Sequence, residues 1–243
     1  MSVERGPILV NCDLGESAGA MASGRDDELA ARCDIINIAC GGHAGDEQSM
    51  RHFVALAGRL GIGAGAHPSF PDRDGFGRRR LAISESALVA ALGEQLGGLA
   101  LIAESLGVEV ASIKPHGALY HAVGEDVGVA RAFLEACERR LPRALLILQA
   151  GASTLGFFAG QRVRVLREAF ADRLYEVDGS LRDRRLPGAL IEEPGEIAAH
   201  VRGLLATVEF DTLCVHSDTP NAVEAAAAAR DALIGAGRGF DRR

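Results

Sequence analysis

The feature that most constrains this chain is a unit that recurs along its length: a short apolar run, a cluster of polar residues, then a helical stretch. The apolar runs cover residues 8–14, 34–40, 61–67, 108–116, 144–150, 164–172, 189–191 and 212–218. Helical patterns lie between or after them at residues 47–60, 84–106, 127–141, 195–207 and 220–234. Start signals agree: Asp46 and Ser84 stand where N-caps belong, and Thr219 precedes Pro220 at a first helical position. Apolar strands alternating with helices build βαβ units around a parallel sheet buried on both faces. An open dinucleotide-binding sheet would carry GxGxxG after its first strand, whereas this chain reads Asn11-Cys12-Asp13-Leu14-Gly15-Glu16-Ser17 there. Seven or eight units in 243 residues instead predict an α/β fold closed as one (β/α) barrel domain over residues 1–243, seven- or eight-stranded and open to distortion.

Composition narrows the partners. The net charge is −7 and the arginines are scattered, which argues against a nucleic-acid stripe. No run of 18 or more apolar residues exists, and the start Met1-Ser2-Val3-Glu4-Arg5-Gly6-Pro7 lacks the apolar core of a signal peptide. The expectation is therefore no membrane partner and a cytoplasmic chain. Five cysteines without a CxxC pair read as reduced, buried thiols. Of 26 basic side chains, only Lys114 is a lysine. Lysine is a compact ammonium whose pKa moves with burial, so its retention beside Pro115 and His116 points to a need for it there.

In a (β/α) barrel the active site collects at the C-terminal ends of the strands. Here the first run ends at Asn11 and Asp13 with Glu16 beyond, and the second leads to His43 and Asp46. The third ends at His67 and the fourth at Lys114 and His116, with Tyr120 following. The sixth carries Glu168, Asp172 and Arg173, and the last ends at His216 and Asp218. Four of the seven histidines thus fall at strand ends. Plainer roles compete: Asp46 as a helix cap, His52 and His200 as helical surface or packing residues, His121 as a loop residue. The clustered groups suit hydrolysis or acyl transfer, with Asp13, His43, His67, Lys114, His116 and His216 as the catalytic set. Asp13 and the same four histidines would also serve as ligands if a divalent metal were bound. Asn11, Glu16, Asp46, Tyr120, Glu168, Asp172 and Asp218 are candidates for substrate contacts, and Arg78, Arg79 and Arg173 for anion contacts. The dipeptide Gly-Lys does not occur, so ATP, if used, is not held here through a P-loop.

Several segments together resemble successive blocks of the LamB/YcsF family. They are Asn11 to Glu16, Asn37 to Gly41 with His43 to Asp46, Gly65 to Pro68, Gly75 to Arg79, Lys114 to Tyr120, Glu168 to Arg173 with Tyr175, and Cys214 to His216. The blocks keep the family's order from about Ile8 to Ile234. The resemblance implies a barrel related to the glycoside hydrolase/deacetylase superfamily. It also implies hydrolysis of 5-oxoproline (pyroglutamate) to L-glutamate, with ATP consumed by a complex that includes the 5-oxoprolinase B and C subunits. Three positions depart from the family pattern, which has an aromatic residue at Gly42, a glycine at Ser217 and an asparagine at His121. Two other readings stay open on the residues alone: a stand-alone metal-dependent deacetylase or amidohydrolase, and a non-catalytic lactam-binding component.

Overall fold

The computed structural model describes residues 6–183, 186–219 and 221–240. Seven parallel strands close into a barrel in chain order: β1 (Leu9–Leu14), β2 (Ile35–Ala39), β3 (Gly63–His67), β4 (Val110–Ile113), β5 (Leu145–Gln149), β6 (Val165–Phe170) and β7 (Thr212–His216). β1 closes the ring on β7, with Asn11 opposite Cys214 and Asp13 opposite His216. This confirms the closed barrel and fixes the strand number at seven. The segment at 189–191 is not a strand. Leu190 makes only an isolated antiparallel bridge to Arg173, and Ala189 and Ile191 are apolar because they pack into the core.

The helices surround the ring: α1 (Ala18–Ser23), α2 (Arg25–Ala30), α3 (Glu47–Leu60), α4 (Glu85–Ser105), α5 (Gly117–Glu125), α6 (Val127–Arg140), α7 (Leu155–Ala159), α8 (Pro194–Thr207) and α9 (Ala222–Gly235). Asp46 caps α3 through a capping box with Ser49, and Ser84 caps α4. The start expected for the last helix differs. Asn221, in the left-handed conformation, stands before α9, and Thr219 donates its hydroxyl to Asp172 instead of capping. Pro220 lies outside the described residues.

Helix α4 is long and apolar enough, by length and composition alone, to cross a membrane. Leu88, Leu92, Leu96 and Leu99 bury one side of it in the core, and its main partner is α6. That packing accounts for its apolar character, whereas Leu101 on the other side is exposed.

The lumen is where this barrel is unusual. (β/α) barrels fill their interior mostly with branched apolar side chains. Here Asn11, Asn37, Ser112, Glu168 and Thr212 are fully buried polar residues on the strands. Asn11 Nδ2 donates to Glu168 Oε1 at 3.0 Å and to Thr212 Oγ1 at 2.9 Å, and Asn37 Nδ2 donates to Asn11 Oδ1 at 2.8 Å. Gly65 is required beside them, because a Cβ there would sit 2.6 Å from Ser112 Oγ.

The apolar core lies between the ring and the helices, and Phe53 of α3 is among its largest fully buried side chains. Phe53→Ala should lower stability by about 3–5 kcal/mol, whereas Leu101→Ala should stay within about 0.5 kcal/mol. Urea unfolding midpoints of the two variants test this. Equal losses would show that the exposed side of α4 is covered in solution.

Candidate functional site

Above the polar lumen, the strand ends open into a cavity of about 680 Å³, within the range of about 300–1,000 Å³ usual for small-molecule sites. Asp13, Glu16, His67, Lys114, His116 and His216 line its floor and walls.

Lys114 follows β4, and its backbone N–H continues the ladder by donating to the Ala66 carbonyl at 2.9 Å. Its ammonium reaches Asp13 Oδ1 at 3.0 Å, Glu168 Oε1 at 3.0 Å and Cys214 Sγ at 3.1 Å. Burial works against its charge, but the negative charge of Asp13, with Cys214 and Glu168, outweighs burial and holds its pKa well above the lysine range. Asp13 behaves conversely. Burial would raise its pKa, yet His67, Lys114 and His216 pull it far below the carboxylate range. Tyr120 closes this group by donating its hydroxyl to Glu168 Oε2 at 2.7 Å.

The opposite wall is a dyad. Asp172, fully buried just past β6, accepts from His216 Nδ1 at 3.0 Å, from the His216 backbone N–H at 2.9 Å and from Thr219 Oγ1 at 2.7 Å. Three donors on one carboxylate fix the imidazole and leave Nε2 without a share in that contact. Burial opposes the imidazolium, but Asp172 overrides it and raises the His216 pKa above the usual histidine value.

Four residues make a third group. His43 lies behind His116, stacked parallel on it at 3.6 Å between ring centroids, and its Nε2 stands 2.8 Å from Glu16 Oε1. His67 Nδ1 stands 2.7 Å from the Lys114 carbonyl, and His116 Nε2 stands 3.0 Å from the Phe76 carbonyl. Burial lowers the His67 pKa to about 3, so its ring is neutral. Burial raises Glu16, but hydrogen bonds from His116 and His43 draw its pKa well below the carboxylate range. Phe76 and Gly77 both adopt positive φ, and a Cβ on Gly77 would approach His43 Cβ to 2.9 Å. The loop therefore seats the Phe76 carbonyl on His116 with a glycine where no side chain fits.

The sequence-predicted residues divide accordingly. Asp13, Glu16, His67, Lys114, His116, Tyr120 and His216 come together at the floor, with Arg78, Arg173 and Asp218 at the mouth. His43, Asn11, Glu168 and Asp172 sit one layer behind and act on groups that face the cavity. Two residues are corrected. Asp46 is occupied as the α3 cap, and Arg79 turns away to hold Asp72 through a forked ion pair. Its neighbour Arg80 lines the cavity instead and pairs with Asp126 at 2.8 Å. Only the backbone path of this loop decides which of three consecutive arginines faces inward.

Other residues went unmarked. Arg182 and Asp183, on the excursion between β6 and α8, form part of the wall, and the Arg182 carbonyl accepts from Arg173 Nη2 at 2.7 Å. Their position depends on the bridge between Tyr175 and Leu181, which local sequence does not signal. Asn37 was legible as a polar residue inside an apolar strand. His121 and Ser217 line the cavity, so those two departures from the family pattern alter its surface. Gly42 is explained by Gln95, whose Oε1 would lie 2.3 Å from a Cβ at that position and which bonds both the backbone N–H and the carbonyl of Ser69. His52 pairs with Asp27, His200 packs on Tyr175, and all five cysteines are free and buried.

Comparison with known proteins agrees with this arrangement. The LamB/YcsF family pattern matches residues 8–241. The 5-oxoprolinase A subunit of Chloroflexus aggregans is 44% identical over 243 residues, covering 95% of this chain and 96% of that protein. A 5-oxoprolinase A subunit of Pseudomonas aeruginosa is 41% identical over 241 residues, covering 93% and 96%. Among solved structures, a lactam utilization protein from Thermus thermophilus superposes with a TM-score of 0.86 at 36% identity, covering 96% of this chain and all of that one. With nearly its whole length matched in sequence and in fold, the chain belongs to the LamB/YcsF family.

Proposed function

We propose that this chain is the A subunit of an ATP-dependent 5-oxoprolinase and hydrolyses the activated lactam to L-glutamate together with B and C subunits. The relatives that carry that name match it end to end. The observation that carries the reading is a buried, permanently charged Lys114 facing a cavity that also holds an Asp172–His216 dyad.

A five-membered lactam is a resonance-stabilised amide, so opening it near neutral pH calls for activation of its carbonyl. In this reading the partner subunits use ATP to phosphorylate the lactam oxygen. Water then adds to the carbonyl carbon, the ring C–N bond breaks and the nitrogen takes a proton. A second water releases phosphate from the resulting γ-carboxyl phosphate, leaving glutamate.

Each step has a group suited to it. The Lys114 ammonium stabilises negative charge on the reacting oxygen without reorganising, because Asp13 and Glu168 hold it in place. His216, oriented by Asp172, removes the proton from water and returns it to the ring nitrogen. Asp13 is bound to Lys114 and held far down in pKa, which makes it an orienting group rather than the base. Arg78, Arg80 and Arg173 at the mouth suit the substrate carboxylate or the phosphoryl group. A stand-alone hydrolase would act without ATP or partners, and a non-catalytic binding component would tolerate loss of Lys114.

Glutamate release from 5-oxoproline, assayed with ATP and competent B and C subunits, tests the reading. Lys114→Met should reduce it to background, and near-normal turnover would remove the ammonium from the mechanism. Asp172→Asn tests the base separately. Removing the carboxylate that raises the His216 pKa should lower that pKa, so the acid limb of kcat/KM should move to lower pH while the maximum rate falls. An acid limb that stays in place would assign the base elsewhere.

A further inference from the structure

The group formed by Glu16, His67 and His116 contains an electrostatic problem that the proposed reaction does not use. A carbonyl oxygen only accepts hydrogen bonds. His67 Nδ1, 2.7 Å from the Lys114 carbonyl, and His116 Nε2, 3.0 Å from the Phe76 carbonyl, must therefore both carry protons. In neutral rings that leaves lone pairs on His67 Nε2 and His116 Nδ1, and these two atoms face each other at 3.1 Å. Glu16 Oε1 adds a third electron-pair donor, 3.1 Å from His116 Nδ1 and 3.6 Å from His67 Nε2. Three donors meeting in a buried space need a cation among them.

The spacing indicates which kind. Ligand bonds of about 2.0–2.1 Å in a tetrahedral site place neighbouring ligand atoms about 3.3 Å apart. The three observed separations, 3.1, 3.1 and 3.6 Å, bracket that edge length. Metal-bound histidines characteristically donate their second ring nitrogen to a carbonyl or carboxylate, and both rings here do so. Glu16 Oε1 is steadied by His43 Nε2 at 2.8 Å, and Asp13 Oδ2 lies 3.5 Å from His67 Nε2 as a further carboxylate. All three donors also line the cavity, which leaves room for water or substrate at a fourth position.

We propose that His67 Nε2, His116 Nδ1 and Glu16 Oε1 form a binding site for one divalent transition metal of the zinc type. Two imidazoles and a carboxylate suit such an ion better than magnesium or calcium, which favour all-oxygen shells. The Phe76 and Gly77 loop and His43 act as the outer supports that keep the donors aimed. The site does not depend on the lactam reaction being the right one.

The test uses the full chain without a histidine tag, stripped with a chelator and then equilibrated with cobalt(II) as a visible probe. One cobalt should remain per chain after gel filtration, with a visible absorption band, and zinc should displace it. His116→Gln and Glu16→Gln should each weaken cobalt binding at least ~10-fold, while His52→Gln should bind normally. Where a variant fails to fold, the wild-type chain decides, because a metal that binds only the folded state must raise its unfolding midpoint. A folded wild-type chain that retains no cobalt or zinc overturns the site. So does cobalt that survives both substitutions, or a nitrogen NMR spectrum that keeps a proton on His116 Nδ1 when metal is added. No substrate, ATP or partner enters this measurement, so its failure and the failure of the lactam reading are separate results.

Discussion

The Lys114 ammonium is the interaction on which the rest of the site depends. It is buried at the end of β4 with carboxylates of Asp13 and Glu168 each 3.0 Å away. A charge so placed is stable only when desolvation is offset by partners of opposite sign and by full hydrogen bonding. Those partners come from β1 and β6, on different sides of the ring, so the barrel must be closed before the lysine can be charged and buried together. Removing any one of the three leaves the others uncompensated in a low-dielectric interior.

The same requirement explains why the lumen is polar. Glu168 satisfies Lys114 and Tyr120 at the top and accepts from Asn11 beneath, and Asn11 in turn meets Asn37 and Thr212. This network occupies space that branched apolar side chains fill in most barrels. The helices outside the ring then carry the hydrophobic burden, through residues such as Phe53 and the leucines of α4. The result separates stability, on the outer side of the strands, from chemistry, at their inner side and C-terminal ends.

Much of this was legible in the chain itself. The alternation of apolar runs and helices gave the closed parallel barrel, and a lone lysine among arginines marked Lys114. Histidines and carboxylates at strand ends pointed to one face, because parallel strands in a ring present all their C-terminal ends together. Errors arose where one residue had two chemically sensible uses. Asp46 suits a cap or a site and became a cap, and Arg79 suits anion binding but is committed to Asp72. The apolar segment at 189–191 resembled a strand because burial, rather than ladder pairing, set its composition.

By itself the sequence determined the architecture, the family and the kinds of side chain that gather at one end of the barrel. These follow from periodicity and residue type, which are local properties. Only the tertiary structure decided the relations between side chains: Asp13 tied to Lys114, His216 oriented by Asp172, and His67 and His116 turned face to face by two backbone carbonyls. Those pairings join residues 44 to 101 positions apart along the chain. Distance, ring orientation and proton placement at that range depend on strand register and loop path, which become fixed only when the ring closes.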